Sequence, residues 1–401
     1  MKKRLTIIDF VEKYTAMYAD HVFLREKTDN VWTETTYAQT REQAHLIGAG
    51  LMALGMQKGE RAALLSQGRN LWVTGELGIL YAGGVNVPLS IKLAEASDLL
   101  FRIQHSDAQY IMTSEQQLPK IRKILPECPN VKYVIVFDKL DKYEDREIGI
   151  DQVIAKGESF LAHHRKDFEA RYKSVGPDDY ANISYTSGTT ADPKGILLTH
   201  RNYTANVEQA RSIIGVEPDD VMLIILPLDH CFAHVAGFYT MMSYCGSIAT
   251  VPVGKTAIAT LKNIPLSIKE VRPMVMLSVP ALARNFRKSI ETSIKQKGAM
   301  VEKLYNFALN NAIKYNKEYW NRGGKDFWRK PLVDLFDKLI FKAVREGFGG
   351  RMKFFVGGGA LLDIELQRYF CAVGMPMFQG YGLSEATPII CANSTGHAIF
   401  G

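Results

Sequence analysis

The residues best suited to chemistry form a short loop that could hold a polyphosphate. Between Tyr185 and Gly195 the sequence reads YTSGTTADPKG, which combines small hydroxyl residues, one internal glycine and the cation of Lys194. Apolar runs that end at Ile183 and begin at Ile196 flank this loop and predict two short buried strands. Backbone N–H groups, hydroxyls and a cation in a glycine-rich loop suit phosphate oxygens. The sequence therefore predicts a protein that handles a nucleotide.

This loop does not follow the pattern of P-loop NTPases. A Walker A loop has the form GxxxxGK[ST] and opens a helix. Here Lys194 lies between Pro193 and Gly195, and the residues that follow predict a strand. The nucleotide chemistry must therefore belong to another class of protein.

The loop resembles the phosphate loop of the AMP-forming adenylate-forming superfamily, which includes acyl-CoA synthetases, luciferases and peptide-synthetase adenylation domains. That loop has the form [YF]TSG[ST]TxxPKG, and every fixed position matches. Three further segments resemble family motifs, in the family's order: PLDHCF (227–232), GGGA (357–360) and QGYGLSE (379–385). The last motif has Ser384 where threonine is usual, which keeps the hydroxyl. The chain most resembles the N-terminal portion of a bacterial-type long-chain fatty acid–CoA ligase.

The resemblance implies a role for each motif. The residues that would hold the β- and γ-phosphates are Thr186, Ser187, Gly188, Thr189, Thr190 and Lys194. The residues that would surround adenine and complete the nucleotide site are Gly358, Gly359, Ala360, Gly380, Tyr381, Gly382 and Ser384. Glu385 would bind Mg²⁺, shared with Thr186, and Lys194 would act with both in catalysis. His230 or Phe232 would border the carboxylate of the acyl substrate.

The implied reaction has two steps. A long-chain fatty acid and ATP form an acyl-adenylate, and coenzyme A then accepts the acyl group as a thioester. The family's later TGD motif, hinge and lysine-bearing C-terminal domain do not occur in this sequence, so we expect that domain to be absent and the isolated chain to adenylate poorly. The alternatives are a fatty acyl-carrier-protein ligase, an aryl-acid–CoA ligase, and a non-enzymatic module that binds nucleotide or acyl-adenylate.

Composition and patterning agree with a large α/β enzyme. The 401 residues are 47% hydrophobic, enough for more than one core, and strands alternate with helices along the chain. We expect layered α/β subdomains at 1–175 and 176–401. No apolar run reaches the ~18 residues of a membrane span. Five cysteines without CxxC spacing indicate reduced thiols, which predicts a cytoplasmic protein.

One region, residues 284–345, is strongly basic and aromatic. It holds fifteen Lys or Arg residues against six Asp or Glu residues, whereas the whole chain carries a net charge of +7. Its apolar spacing is helical, and it resembles the helical insertion of long-chain acyl-CoA synthetases. One interpretation is a face that rests on anionic lipid at the inner side of the membrane. The other is a pair of solvated helices packed on the second subdomain. Nothing in the sequence indicates a nucleic acid partner.

Two weaker patterns have simpler explanations. Residues 48–53 fit GxGxxA, the dinucleotide fingerprint, but they lie within an amphipathic helix pattern with no strand directly before them. Close helix packing is therefore the favoured use of Gly48 and Gly50. His230 and His234 have the i, i+4 spacing of zinc ligands, yet no glutamate follows His230 and no third ligand suggests itself.

Overall fold

The computed structural model describes residues 4–186, 193–254, 256–317 and 324–394. Its α-helices, in chain order, are α1 (Ile7–Tyr18), α2 (Tyr37–Ala53), α3 (Asn70–Tyr81), α4 (Ala96–His105), α5 (Leu118–Ile124), α6 (Ile150–Lys173), α7 (His200–Ile213), α8 (Thr240–Ser243), α9 (Ala257–Val271), α10 (Pro280–Gln296), α11 (Ala299–Asn316), α12 (Lys330–Phe336), α13 (Lys342–Glu346) and α14 (Ile364–Ala372). Shorter 3₁₀ turns and two π-helical segments, Ala233–Tyr239 and Asp337–Phe341, complete the helical elements discussed below.

The strands are β1 (Val22–Thr28), β2 (Val31–Thr36), β3 (Arg61–Leu65), β4 (Val85–Pro88), β5 (Ala108–Thr113), β6 (Tyr133–Val136), β7 (Glu147–Gly149), β8 (Tyr180–Tyr185), β9 (Gly195–Thr199), β10 (Val221–Ile224), β11 (Ser247–Thr250), β12 (Val275–Ser278), β13 (Phe354–Gly357), β14 (Met377–Gly382) and β15 (Ile389–Ala392). The alternation of strands with helices that the sequence predicts is present, for example in the run β3, α3, β4 and α4.

The chain divides into two compact units, each assembled from separate stretches of sequence. Unit 1 comprises Met1–Glu208, Pro227–Cys245 and Ser384–Pro388. Unit 2 comprises Gln209–Leu226, Gly246–Leu383 and Ile389–Gly401. Because these units are discontinuous in sequence, they do not test the predicted subdomain boundary near residue 175. That boundary stays a prediction.

Unit 1 is built on a seven-stranded sheet in the order β7-β6-β5-β3-β4-β8-β9. All neighbouring strands are parallel except β8 and β9, which are antiparallel. The central strands are almost wholly apolar, as expected for strands buried on both faces. They form a core with α4 and α5, in which Ile111, Ile121 and Val134 are fully buried.

Glycines allow helices α2 and α6 of unit 1 to pack closely. A Cβ built on Gly50 of α2 would lie 2.1 Å from the carbonyl oxygen of Val153 on α6, and one on Gly157 would lie 1.9 Å from that of Leu46. Neither position can hold a side chain without separating the helices. The glycine-rich pattern at residues 48–53 therefore serves helix packing, as predicted.

Unit 2 contains six neighbouring strands in the order β15-β14-β13-β12-β10-β11, all parallel except for the antiparallel pair of β14 and β15. The basic region is helical, as predicted, and spans α10 to α13. Helix α10 buries Ala283, Phe286 and Ile290 along one face. On α11, the hydroxyl of Tyr305 lies 2.7 Å from that of Tyr369 on α14, which ties the region to unit 2. The α/β fold class is therefore confirmed.

None of the helices in the described parts of the chain is long and apolar enough to cross a membrane.

Unit 1 should lose stability in mild acid through His200. This residue begins α7, is 1% exposed, and its Nδ1 accepts a hydrogen bond from the N–H of Ile7 at 3.3 Å. Burial lowers the pKa of His200 to about 4, although the carboxylates of Asp179 and Asp9 partly offset this. The unfolded chain binds the proton at an ordinary pKa of about 6.5. Full stability is therefore present above about pH 6.5, and about 3 kcal/mol is lost as the pH falls from 6.5 towards 4.

Urea unfolding at a series of pH values measures this loss. In His200→Gln the slope of the free energy of unfolding against pH should be shallower between pH 6.5 and 4. His163→Gln, at an exposed histidine of α6, is the control and should keep the wild-type slope. Equal slopes for wild type and His200→Gln would show that His200 is not the group that titrates.

Candidate functional site

The predicted phosphate loop connects the antiparallel strands β8 and β9. Tyr185 pairs with Gly195 across the hairpin, and beyond this pair the N–H of Thr186 donates to the carbonyl of Lys194 at 3.2 Å. Thr186 is half-buried and Lys194 is exposed. Because a strand follows the loop, the exclusion of a Walker A loop is confirmed. Four predicted phosphate ligands lie outside the described residues: Ser187, Gly188, Thr189 and Thr190.

The base of the hairpin is anchored through the ring of Tyr185. Its hydroxyl donates to the carbonyl of Arg102 at 3.3 Å and lies 2.8 Å from Nδ1 of His105. The Arg102 guanidinium lies 5.7 Å from the centre of the ring. Burial raises the pKa of Tyr185, so the phenol stays protonated and remains a donor at neutral pH. The residue that opens the motif is therefore held by α4.

Glu385 lies on a 3₁₀ turn, Ser384–Ala386, that packs beside β9. The turn is closed by a hydrogen bond from the N–H of Thr387 to the carbonyl of Ser384, and Asn206 of α7 donates to the carbonyl of Ala386 at 3.3 Å. Asn206 could not be identified from the sequence, because an asparagine within a helix pattern has no distinguishing feature. The turn thus holds Glu385 on the same unit as Thr186 and Lys194.

The Glu385 carboxylate fits a Mg²⁺ ligand. It is exposed, and no hydrogen bond or ion pair within the described residues occupies it. Mg²⁺ takes one or two protein carboxylates and fills its remaining positions with water and phosphate oxygens. A single accessible carboxylate beside the end of the phosphate loop has this chemistry.

His230 is exposed at the start of a helical segment, and a main-chain group sets its tautomer. Its Nδ1 accepts the N–H of Phe232 at 3.2 Å, so in the neutral ring Nε2 carries the proton. The surrounding protein lowers the pKa of His230, which favours this neutral form at physiological pH. His230 therefore offers one N–H donor outward, as a group that borders a carboxylate should.

Cys231 links the segment 227–232 to the Glu385 turn. The sulfur of Cys231 lies 3.3 Å from the hydroxyl oxygen of Ser384. Burial raises the pKa of Cys231, so it remains a neutral thiol. The serine that replaces the usual threonine thus still contacts a neighbour through its hydroxyl.

In unit 2, the predicted adenine loop follows the carboxyl end of β13. The N–H of Gly358 donates to the carbonyl of Ser278 at 3.0 Å, and Gly359 and Ala360 are exposed. Gly359 has a φ of +78°, while a Cβ there would lie 3.7 Å from Val279. The backbone conformation, rather than lack of space, therefore requires glycine at this position.

Gln379 joins this loop to β14. Its Oε1 accepts the N–H of Leu362 at 2.6 Å, and its Nε2 donates to the carbonyl of Gly380 at 2.7 Å. Tyr381 follows and is 56% exposed, so its ring can pack against a base. The sequence placed Gln379 within a motif but did not assign it this positioning role.

The predicted site residues group by unit. Those of unit 1 are Thr186, Lys194, His230, Phe232, Ser384 and Glu385, and those of unit 2 are Gly358, Gly359, Ala360, Gly380, Tyr381 and Gly382. The chain passes from one group to the other within a single motif, between Leu383 and Ser384.

A comparison with protein families and known proteins agrees with this geometry. The family model described as AMP-binding enzyme matches residues 11–399. A long-chain-fatty-acid–CoA ligase of Mycobacterium bovis, FadD15, is 26% identical over 92% of this chain, and the chain spans 58% of that relative. Long chain acyl-CoA synthetase 7, a peroxisomal protein of Arabidopsis thaliana, is 26% identical over 96% of this chain, and the chain spans 53% of that relative. The chain therefore spans little more than half the length of these relatives.

Solved structures share the fold. The anthranilate CoA ligase AuaEII, in complex with anthranoyl-AMP, matches all of this chain and 64% of its own with a TM-score of 0.72 at 17% identity. The N-terminal domain of FACL13 from Mycobacterium tuberculosis matches 95% of this chain and 77% of its own with a TM-score of 0.66 at 20% identity. At these identities the likeness establishes the fold alone, and it confirms the predicted N-terminal architecture.

Removing the charge of Glu385 should abolish the Mg²⁺ dependence of ATP binding. In Glu385→Gln the side chain keeps its size but loses the anion that attracts the metal. Calorimetric titration measures the affinity for ATP in the presence of Mg²⁺ and in the presence of a chelator. The two affinities should be equal for the variant and different for the wild type. Glu95→Gln, at an exposed carboxylate before α4, is the control and should behave as wild type. A variant that still distinguishes Mg²⁺-ATP from ATP would contradict the metal assignment.

Lys194→Ala should weaken ATP binding by about tenfold, the scale of one hydrogen bond to a charged group. The effect is moderate because the main-chain N–H groups of the loop remain. The same titration measures it, with Lys123→Ala, at an exposed lysine of α5, as the control. Unchanged affinity in Lys194→Ala would remove this lysine from the phosphate site.

Proposed function

Because the chain belongs to the AMP-binding enzyme family, we propose that it activates a long-chain fatty acid with ATP to form an acyl-adenylate. The observation that carries the choice of substrate is the similarity to proteins named long-chain fatty acid–CoA ligases over more than nine-tenths of the chain. In the whole protein, coenzyme A would then accept the acyl group.

The first step joins two anions, and the residues of unit 1 reduce the repulsion between them. A carboxylate oxygen forms a bond to the α-phosphorus of ATP, and the bond from that phosphorus to the bridging oxygen of pyrophosphate breaks. Lys194, Thr186 and the loop N–H groups would hold the leaving phosphates, where negative charge accumulates. Mg²⁺ held by Glu385 would supply further positive charge to the phosphate oxygens.

His230 would orient the acid. As the neutral tautomer it presents Nε2–H as a donor, and this hydrogen bond fixes one carboxylate oxygen without protonating it. Phe232, half-exposed beside it, would line the apolar side of the same pocket. In unit 2, the exposed Gly359 and Ala360 and the ring of Tyr381 would receive adenine.

The alternatives differ in acceptor or acid. An acyl-carrier-protein ligase would use the same first step, and an aryl-acid–CoA ligase would need a shorter pocket. A binding module would hold nucleotide or acyl-adenylate without turnover. Aryl-acid ligases occur among the similar structures, but only as a likeness of fold.

We further propose that the basic region, residues 284–345, rests on anionic lipid at the cytoplasmic face of a membrane. Along α11, Met300, Leu304 and Phe307 repeat at i, i+4 and i+7 and are exposed. Phe307 contacts Phe336 of α12, and Leu339, on the π-helical segment that follows α12, is also exposed. Exposed apolar side chains among an excess of nine positive charges favour a negatively charged lipid surface.

Acyl-adenylate binding should strengthen with acyl length. Calorimetric titration with non-hydrolysable acyl-adenylates of increasing length should give rising affinity, because each buried CH₂ contributes about 0.8 kcal/mol. AMP alone and a benzoyl-adenylate analogue are the controls. If the benzoyl analogue binds as tightly as the longest acyl analogue, the substrate is an aryl acid and not a long-chain fatty acid. If AMP binds and no acyl analogue improves on it, the chain is a nucleotide-binding module.

Met300→Glu should weaken binding to phosphatidylglycerol vesicles by about tenfold, the scale of burying one apolar side chain. Flotation with and without the anionic lipid measures the bound fraction. Ile258→Glu is the matched control, since it introduces the same charge at an exposed apolar position of α9, outside the basic region. Equal recovery of the wild type on neutral and anionic vesicles would rule out the proposal.

A further inference from the structure

A carboxylate lies in the core of unit 1, on a helix that carries none of the predicted site residues. Glu76 of α3 is 1% exposed. Its Oε1 accepts two hydrogen bonds, from Nε2 of His234 at 2.7 Å and from the hydroxyl of Tyr239 at 2.8 Å. An ionisable group is costly to bury unless it is bonded, and bonds in a water-free environment are strong. This cluster therefore constrains both partners firmly.

Aromatic rings enclose the cluster. Trp72 and Tyr203 lie with their ring centres 5.3 and 5.4 Å from that of His234, and Phe238 stacks on Tyr239 at 4.1 Å. Among the described residues, no ion pair other than that with His234 involves Glu76. The two hydrogen bonds are thus its principal polar contacts.

The two donors can meet one oxygen because their helix is not an α-helix. Residues five apart in an α-helix are rotated by about 140° about its axis. His234 and Tyr239 lie in the π-helical segment Ala233–Tyr239, whose i→i+5 bonding brings such residues closer to one face. At its end both the N–H and the hydroxyl of Thr240 donate to the carbonyl of Val235. A π segment is rare, and here two of its residues bond to the carboxylate of Glu76.

The acyl-pocket residues precede the N-terminal end of this segment. The N–H of His234 donates to the carbonyl of His230 at 3.1 Å. The other end is fixed, because the hydroxyl of Tyr37 donates to the carbonyl of Met242 at 3.1 Å. If the π segment relaxed to α-helix, one residue would leave the helix, and its N-terminal end would rotate by about 100° relative to its C-terminal end. His230 would then face a different direction.

We propose that Glu76 is a positioning residue for the acid pocket: by holding the π-helical segment 233–239, it sets the direction in which His230 and Phe232 face the acyl carboxylate. The role of the pocket itself rests on the proposed function. Glu76 contacts neither the acid nor ATP in this scheme, and its effect should be confined to the acyl side of the site.

The decisive variant is Tyr239→Phe, which removes one hydrogen bond to Glu76 and keeps the buried ring. Its affinity for the longest acyl-adenylate analogue should fall by about tenfold, the scale of a hydrogen bond to a charged group, while its affinity for ATP stays at the wild-type value. Glu76→Gln should lower acyl affinity further. Tyr203→Phe is the matched control, because it removes a buried phenol hydroxyl from the same cluster without a bond to Glu76, and it should leave both affinities unchanged.

The ring signals of His230 give a second readout that needs no substrate. They can be assigned in the NMR spectrum by their loss in His230→Asn, and they should shift in Tyr239→Phe but not in Tyr203→Phe. Wild-type acyl affinity together with an unshifted His230 signal in Tyr239→Phe would overturn the proposal. If the wild-type chain binds ATP but no acyl analogue, the proposed function fails, and the His230 signal alone still decides whether Glu76 positions this residue.

Discussion

Parallel strand pairing is the constraint on which the site depends. In a parallel sheet all carboxyl ends lie at one edge, and ligand-binding loops form there. In unit 1 the phosphate hairpin begins at the carboxyl end of β8, and in unit 2 the glycine loop begins at that of β13. Side chains such as Gln379 then fix each loop to its neighbouring strand. The sheets thus decide where the chemistry can occur, and local hydrogen bonds decide how each group points.

The parts of the site that could be predicted from sequence are those encoded in contiguous residues. The hairpin around the phosphate loop, the glycine loop and the Glu385 turn each depend on a few neighbouring positions, so their patterns are visible in the sequence. Asn206 could not be found in this way, because its value lies in one hydrogen bond to a carbonyl 180 residues away. The helical basic region was predictable from periodicity, whereas the direction of its apolar side chains required the packing of α11 against α12.

Glu76 is an intermediate case. It is the one charged residue in an otherwise apolar stretch, LWVTGELGILY, and such a residue requires a buried partner. The sequence therefore indicates that Glu76 needs a buried partner, but it does not indicate which residue that partner is. The spacing of His234 and Tyr239 does not fit a period of 3.6 residues, so a search for helical faces separates them. The i, i+4 spacing of His230 and His234 attracted notice instead, although these two rings point to different surroundings: one to solvent and one to the core.

The discontinuous make-up of unit 1 has a consequence for synthesis of the protein on the ribosome. The unit includes Ser384–Pro388 as well as Met1–Glu208, so the Asn206 contact to Ala386 cannot form until the later segment has emerged. At about 5–20 residues per second, the interval between the two segments is roughly 10–40 s. During this interval β9 and α7 lack the turn that packs against them in the finished protein. The Glu385 turn is thus the last piece of unit 1 to be made, and a nascent chain would acquire the hairpin of β8 and β9 well before this turn.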